Sequence, residues 1–132
     1  MVFILFSAFG PEFSSADFAS KHGLHKLSIW EMGQPRRSGQ LHEDSGISVS
    51  LQNAETTIEV VPLVEQFLED NQAWIAALSA EPVARLLHLG VTVGEENSYA
   101  PSFEFDLHFL ALLVDQEMEL HVTAYPTSDA TE

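Results

Sequence analysis

Leu87-His88-Leu89-Gly90-Val91-Thr92-Val93 alternates apolar side chains with polar or small ones. A period of two sends successive side chains to opposite faces of a strand, so this segment predicts a strand with one buried and one open face. The alternation recurs twice. Ile47, Val49 and Leu51 alternate with Ser48, Ser50 and Gln52. Met118, Leu120, Val122 and Ala124 alternate with Glu119, His121, Thr123 and Tyr125, and Pro126 ends the run. Strands buried on both faces would read as continuous apolar runs. These do not, which predicts a sheet covered by helices on one side only.

Outward from these strands, the other segments fall into place. Met1-Val2-Phe3-Ile4-Leu5-Phe6-Ser7-Ala8-Phe9 reads as a strand rather than a signal peptide, because it lacks a positive start and Gly10-Pro11 follows at once. Ser14 or Ser15 can cap a short helix through Lys21, with Gly23 as its stop. Pro62 suits a first helical turn, and Leu63, Val64, Phe67, Leu68, Trp74, Ile75 and Leu78 keep helical spacing up to Glu81-Pro82. Pro101-Ser102 opens a further helix with Phe103, Leu107, Leu110, Ala111 and Val114 as its stripe. Residues 31–46, with Gly33, Gly39, Gly46 and Pro35, read as one long loop. The expected fold is α+β: a four-stranded, mainly antiparallel sheet with helices packed on one face, in the order β-α-β-α-β-α-β. Residues 1–125 form a single domain and 126–132 a flexible acidic tail.

The chain has 132 residues and is 45% hydrophobic, enough for one core and too apolar for a disordered chain. Twenty acids against five bases give a net charge of −15, which argues against nucleic acid or an anionic membrane as partner. The distribution is uneven. Residues 1–37 hold four bases and three acids, a net of +1, whereas residues 38–132 hold only Arg85 against seventeen acids, a net of −16. The absence of cysteine excludes disulfides, thiolate zinc sites and cysteine nucleophiles. No apolar stretch approaches the ~18 residues of a membrane span. Without span, signal or cysteine, the expected location is the cytoplasm.

The polar faces of the predicted strands can share one surface: Ser48 and Ser50, His88 and Thr92, His121, Thr123 and Tyr125. Water-facing polarity explains such a surface as well as a ligand site does. His88, His121 and Glu119 are the nearest approach to a metal set, and no tight ligand motif accompanies them; His22 and His25 are separated by Gly23. Neither a nucleophile elbow nor a phosphate loop is present. Arg36 and Arg37 can clamp an anion or dock their loop onto the acidic body, and Trp30 beside them can anchor the loop or serve an interface.

Several of these motifs resemble the bacterial domain-of-unknown-function family 4279. They are the first strand ending in Phe9-Gly10, the short helix ending at Gly23-Leu24, and Ser28 and Trp30 before Arg36-Arg37-Ser38-Gly39. The strand Ser45-Gly46-Ile47-Ser48-Val49, the helix from Leu107 to Val114 and the closing strand from Glu119 to Tyr125 extend the resemblance over residues 2–125. The chain departs from that pattern at Asp115-Gln116-Glu117, where a glycine turn is commoner. The resemblance implies a bacterial single-domain α+β protein and supplies no activity.

From the charge, the expected function is non-catalytic: an interaction protein of the immunity or inhibitor type, binding a basic partner such as a toxin. Its expected contact residues are Glu65, Glu69, Asp70, Glu95 and Glu96, with Trp30, Arg36 and Arg37. The alternative is a small-ligand-binding or enzymatic domain using His88, Thr92, His121 and Thr123. No catalytic residue, metal ligand or cofactor is assigned, and the expected state is monomer or homodimer.

Overall fold

A computed structural model describes residues 1–93 and 102–126. Five strands form one sheet: β1 (Val2–Gly10), β2 (Ser28–Trp30), β3 (Ser45–Ser50), β4 (Ala84–Val93) and β5 (Met118–Pro126). Their order is β2-β3-β1-β4-β5. The helices are α1 (Ser15–Lys21), α2 (Val60–Asp70), α3 (Gln72–Ala77) and α4 (Leu107–Asp115). The fold is therefore α+β, with one more strand than the four expected. The sheet is also mixed: β2–β3, β3–β1 and β1–β4 are antiparallel, but β4 and β5 run parallel. Parallel neighbours need a long crossover, which the chain between Val93 and Met118 supplies through α4.

The period of two divides the sheet as the sequence indicates. Val2, Ile4, Phe6 and Ala8 on β1, Ile47 on β3, and Leu87, Leu89 and Val91 on β4 are buried in one core with Phe18, Val60, Val64, Leu68, Trp74, Ile75, Leu78, Phe109 and Leu113. All four helices contribute to that core, so they cover one face. At its centre Phe6 meets Phe67 and Trp74, with ring centroids 5.6 and 5.9 Å away.

Three local expectations are corrected. The helix expected from Pro62 to Glu81 is two helices, because Asn71 joins them: its Nδ2 donates to Phe67 O (2.8 Å) and its Oδ1 accepts from Trp74 Nε1 (2.9 Å). Asn71→Ala should cost about 1–2 kcal/mol, the loss of two half-buried hydrogen bonds, seen as a lowered thermal midpoint. The helix expected from Pro101-Ser102 begins at Leu107, where Asp106 caps it by accepting from Phe109 N (2.8 Å). Phe103 and Phe105 precede it outside any helix or strand and stack in series with Phe109. The long loop of residues 31–46 gives up its end to β3, which starts at Ser45. Its middle is a hairpin arm, closed by Gly33 N to His42 O, His42 N to Gln34 O and Arg36 N to Gln40 O.

Gly23 stops α1 as expected: it takes φ 64°, and Leu24 N reaches back to Ala19 O. At the turn between α4 and β5, Glu117 takes φ 52° where glycine is favoured. The same turn is tied down by Arg85, which is buried at 4% exposure. Its guanidinium donates to Gln116 O (2.7 Å) and Ser79 Oγ (3.1 Å), with Glu117 at 3.8 Å. Burial of Arg85 removes the one base of residues 38–132 from the surface. No described residue after Arg37 then shows water an exposed lysine or arginine.

Candidate functional site

The face without helices gathers two groups of residues that are distant in the sequence. Register sets Ser50, Leu5, His88 and His121 in one row across β3, β1, β4 and β5, and Ser48, Ser7, Leu86 and Glu119 in the next. Thr123 is opposite Gly90, and Thr92 opposite Tyr125. His88, Thr92, His121 and Thr123 thus share one surface, and His88 Nε2 hydrogen-bonds Thr123 Oγ1 at 2.8 Å. Among the described residues, no group of three or more His, Asp or Glu side chains is placed to hold a metal ion.

Trp30 and Arg36 lie at the other end of this face. They line an open cleft of about 380 Å³ with Ser7, Phe9, His42, Glu43, Asp44 and Leu86. Trp30 is held on every side. Its Nε1 donates to Asp44 Oδ1 (3.0 Å), its carbonyl accepts from Ser15 Oγ (2.8 Å), His42 stacks on its ring at 5.8 Å, and Gly46 lies directly beneath the indole. The arm is anchored beside it by Met32 N donating to Ser45 Oγ (2.9 Å). Among the described residues neither Arg36 nor Arg37 has a carboxylate within 4 Å. Arg37 is exposed and does not line the cleft.

A second cleft, about 410 Å³, opens at the His88 end, lined by Phe3, Leu5, Ser50, Asn53, His88 and Tyr125 among others. Tyr125 lies over Gly90 there, close enough to leave no room for a side chain. The open face therefore has aromatic clefts at both ends and a strip of serine, leucine and histidine between them.

The acidic candidates are on the opposite side of the molecule. Glu65 and Glu69 line a groove of about 550 Å³ between the α2–α3 pair and α4, floored by Leu68, Ala76 and Leu112 and edged by Gln72, His108 and Gln116. Glu65 Oε2 is 3.8 Å from His108 Nε2. Asp70 is outside the groove and accepts from Gln66 Nε2 at 2.7 Å. Glu95, Glu96 and the tail from residue 127 lie outside the described residues. The expected partner surface is thereby divided: Trp30 and Arg36 belong to the open sheet face, Glu65 and Glu69 to the helical face.

His42, Asp44 and Ser7 were missed as cleft residues. The sequence carries one usable signal for them. Gly46 alternates in phase with Ser48 and Ser50, which marks a place on the open face where a large side chain can lie against the backbone. No protein-family model matches the chain, and no curated protein or solved structure matches it either. No helix among the described residues is long and apolar enough to cross a membrane.

Proposed function

We propose that this chain is a non-catalytic interaction protein of the immunity or inhibitor type, which holds a basic protein partner in the acidic groove between α2–α3 and α4. One observation carries the reading: the groove pairs Glu65 and Glu69 with an apolar floor, on a surface whose single nearby arginine, Arg85, is buried. An apolar floor supplies affinity and an acidic rim supplies steering toward a cation. The resemblance to family 4279 contributes only the α+β frame.

The test is charge reversal. Glu65→Lys with Glu69→Lys should weaken capture of a basic partner from host lysate at least tenfold at 50 mM salt. The wild-type interaction should itself weaken at 300 mM salt. Capture that ignores both salt and reversal would sink this reading.

The cleft around Trp30 and Arg36 favours a second reading, a small-ligand site on the open sheet face. There an arginine and an immobilised indole line one cleft, a combination suited to an aromatic anion.

A further inference from the structure

The side of the molecule bounded by β5 combines two exposed features. β5 is the sheet's last strand, nine residues long and paired continuously with β4 from Met118 to Pro126. Among the described residues nothing pairs with its outer edge. Natural sheets protect such edges with lysine, proline, bulges or very short strands. The opposite edge follows that rule, since β2 has three residues. β5 does not: it has no lysine or arginine, no bulge interrupts its pairing, and its one proline is the final residue.

The second feature is the flank of α4 on the same side. Phe109 and Leu113 point into the core, and Leu112 and His108 face the groove toward α2 and α3. At 100° per residue, Leu107, Leu110 and Val114 fall on the remaining flank, toward β5. They are exposed there, Leu107 at 84% and Val114 at 73%. Below them Val122, on the helix side of β5, is 48% exposed. An apolar helix flank normally faces a core. This one is left exposed.

We propose that the chain forms a two-fold dimer in which β5 pairs antiparallel with β5 of a second copy about Val122. A second copy covers both features at once. A two-fold axis perpendicular to the sheet keeps both helical layers on one face and sets the two α4 flanks side by side. Strands are about 4.8 Å apart and packed helices 8–10 Å, so two helices each seated over a last strand pair come into contact across the axis.

Val122 is the midpoint of Met118–Pro126, so this register alone overlaps all nine residues. It opposes Val122 to Val122, Leu120 to Ala124, His121 to Thr123 and Glu119 to Tyr125. The strand's one charge is never set against itself, which an isologous pairing requires. The apolar surface left open by each copy becomes the shared core of the pair. This inference is independent of the basic-partner reading, which uses the other side of α4.

Sedimentation velocity at 100 µM tests the pairing. The wild type should sediment at twice the 14.6 kDa chain mass. Val122→Lys places like charges opposite one another and should raise the dimer dissociation constant at least tenfold, while Leu41→Lys, on the distant arm, should leave it unchanged. Because the chain has no cysteine, Val122→Cys should cross-link to itself under mild oxidation, and faster than Thr123→Cys. A monomeric wild type, a dimer that survives Val122→Lys, equal loss in Leu41→Lys, or faster cross-linking at Thr123 each overturns the proposal.

Discussion

Replacing Arg85 with alanine should cost about 3–4 kcal/mol of folding free energy, read as a fall in the urea midpoint at unchanged slope. The reason is the place of the guanidinium rather than its charge. Arg85 faces the core side of β4 opposite Met118 and reaches the end of α4, where Gln116 O needs a donor. The helix C-terminus leaves carbonyls without intrahelical partners, and Arg85 satisfies one of them in the interior. Alanine would leave that carbonyl and the Ser79 hydroxyl without the guanidinium, and would open a cavity beside Met118.

The contact with Glu117 adds little. That carboxylate is 3.8 Å away and 80% exposed, so solvent screens the pair. Arg85→Met therefore separates the contributions: it refills the volume and leaves only the polar loss, about 1–2 kcal/mol. Equal losses in the two variants would show that the hydrogen bonds carry the whole effect and packing none.

Arg85 also illustrates what a linear reading of charge misses. In the sequence it is one base among seventeen acids of residues 38–132, and counting assigns it to the surface. Burial depends on where the α4–β5 turn returns in space, which no local pattern encodes. Alternation was legible because it needs only neighbours: Leu87 to Val93 and Met118 to Tyr125 were read correctly, and so was the sharing of one face by His88, Thr92, His121 and Thr123.

β2 was not legible, because three residues cannot display a period and its partners, Gly46 to Ser48, are distant in the chain. The parallel run of β5 was likewise a matter of topology. Elsewhere the signal was present and misread. Phe103 and Phe105 are two apart, an extended spacing, and Asp106 is a capping residue directly before Leu107. Of the candidate site, the residue types were visible but not their grouping. Trp30 shares a cleft with Ser7 and Leu86 because β2 pairs with β3, and Arg36 joins them from the hairpin arm.

Gly46→Ala should destabilise by about 2–3 kcal/mol although its backbone is ordinary for a strand. A Cβ there would lie within 3 Å of three ring atoms of Trp30. The indole cannot slide away cheaply, since Asp44 holds its Nε1, Ser15 holds its carbonyl and His42 stacks on its ring. On intrinsic grounds the change should help, because glycine inside a strand costs roughly 0.5–1 kcal/mol relative to alanine. The two effects separate in a double-mutant cycle. In a Trp30→Ala background the clash is gone, so Gly46→Ala should become neutral or slightly stabilising, giving a coupling of about 2–3 kcal/mol. The same cost in both backgrounds would place the strain in the β1–β3 backbone instead of the indole. Displacing Trp30 also removes the aromatic wall beside Arg36. Any aromatic anion that protects the wild type in thermal unfolding should then lose that protection in Gly46→Ala, while a basic protein bound at Glu65 and Glu69 should be retained.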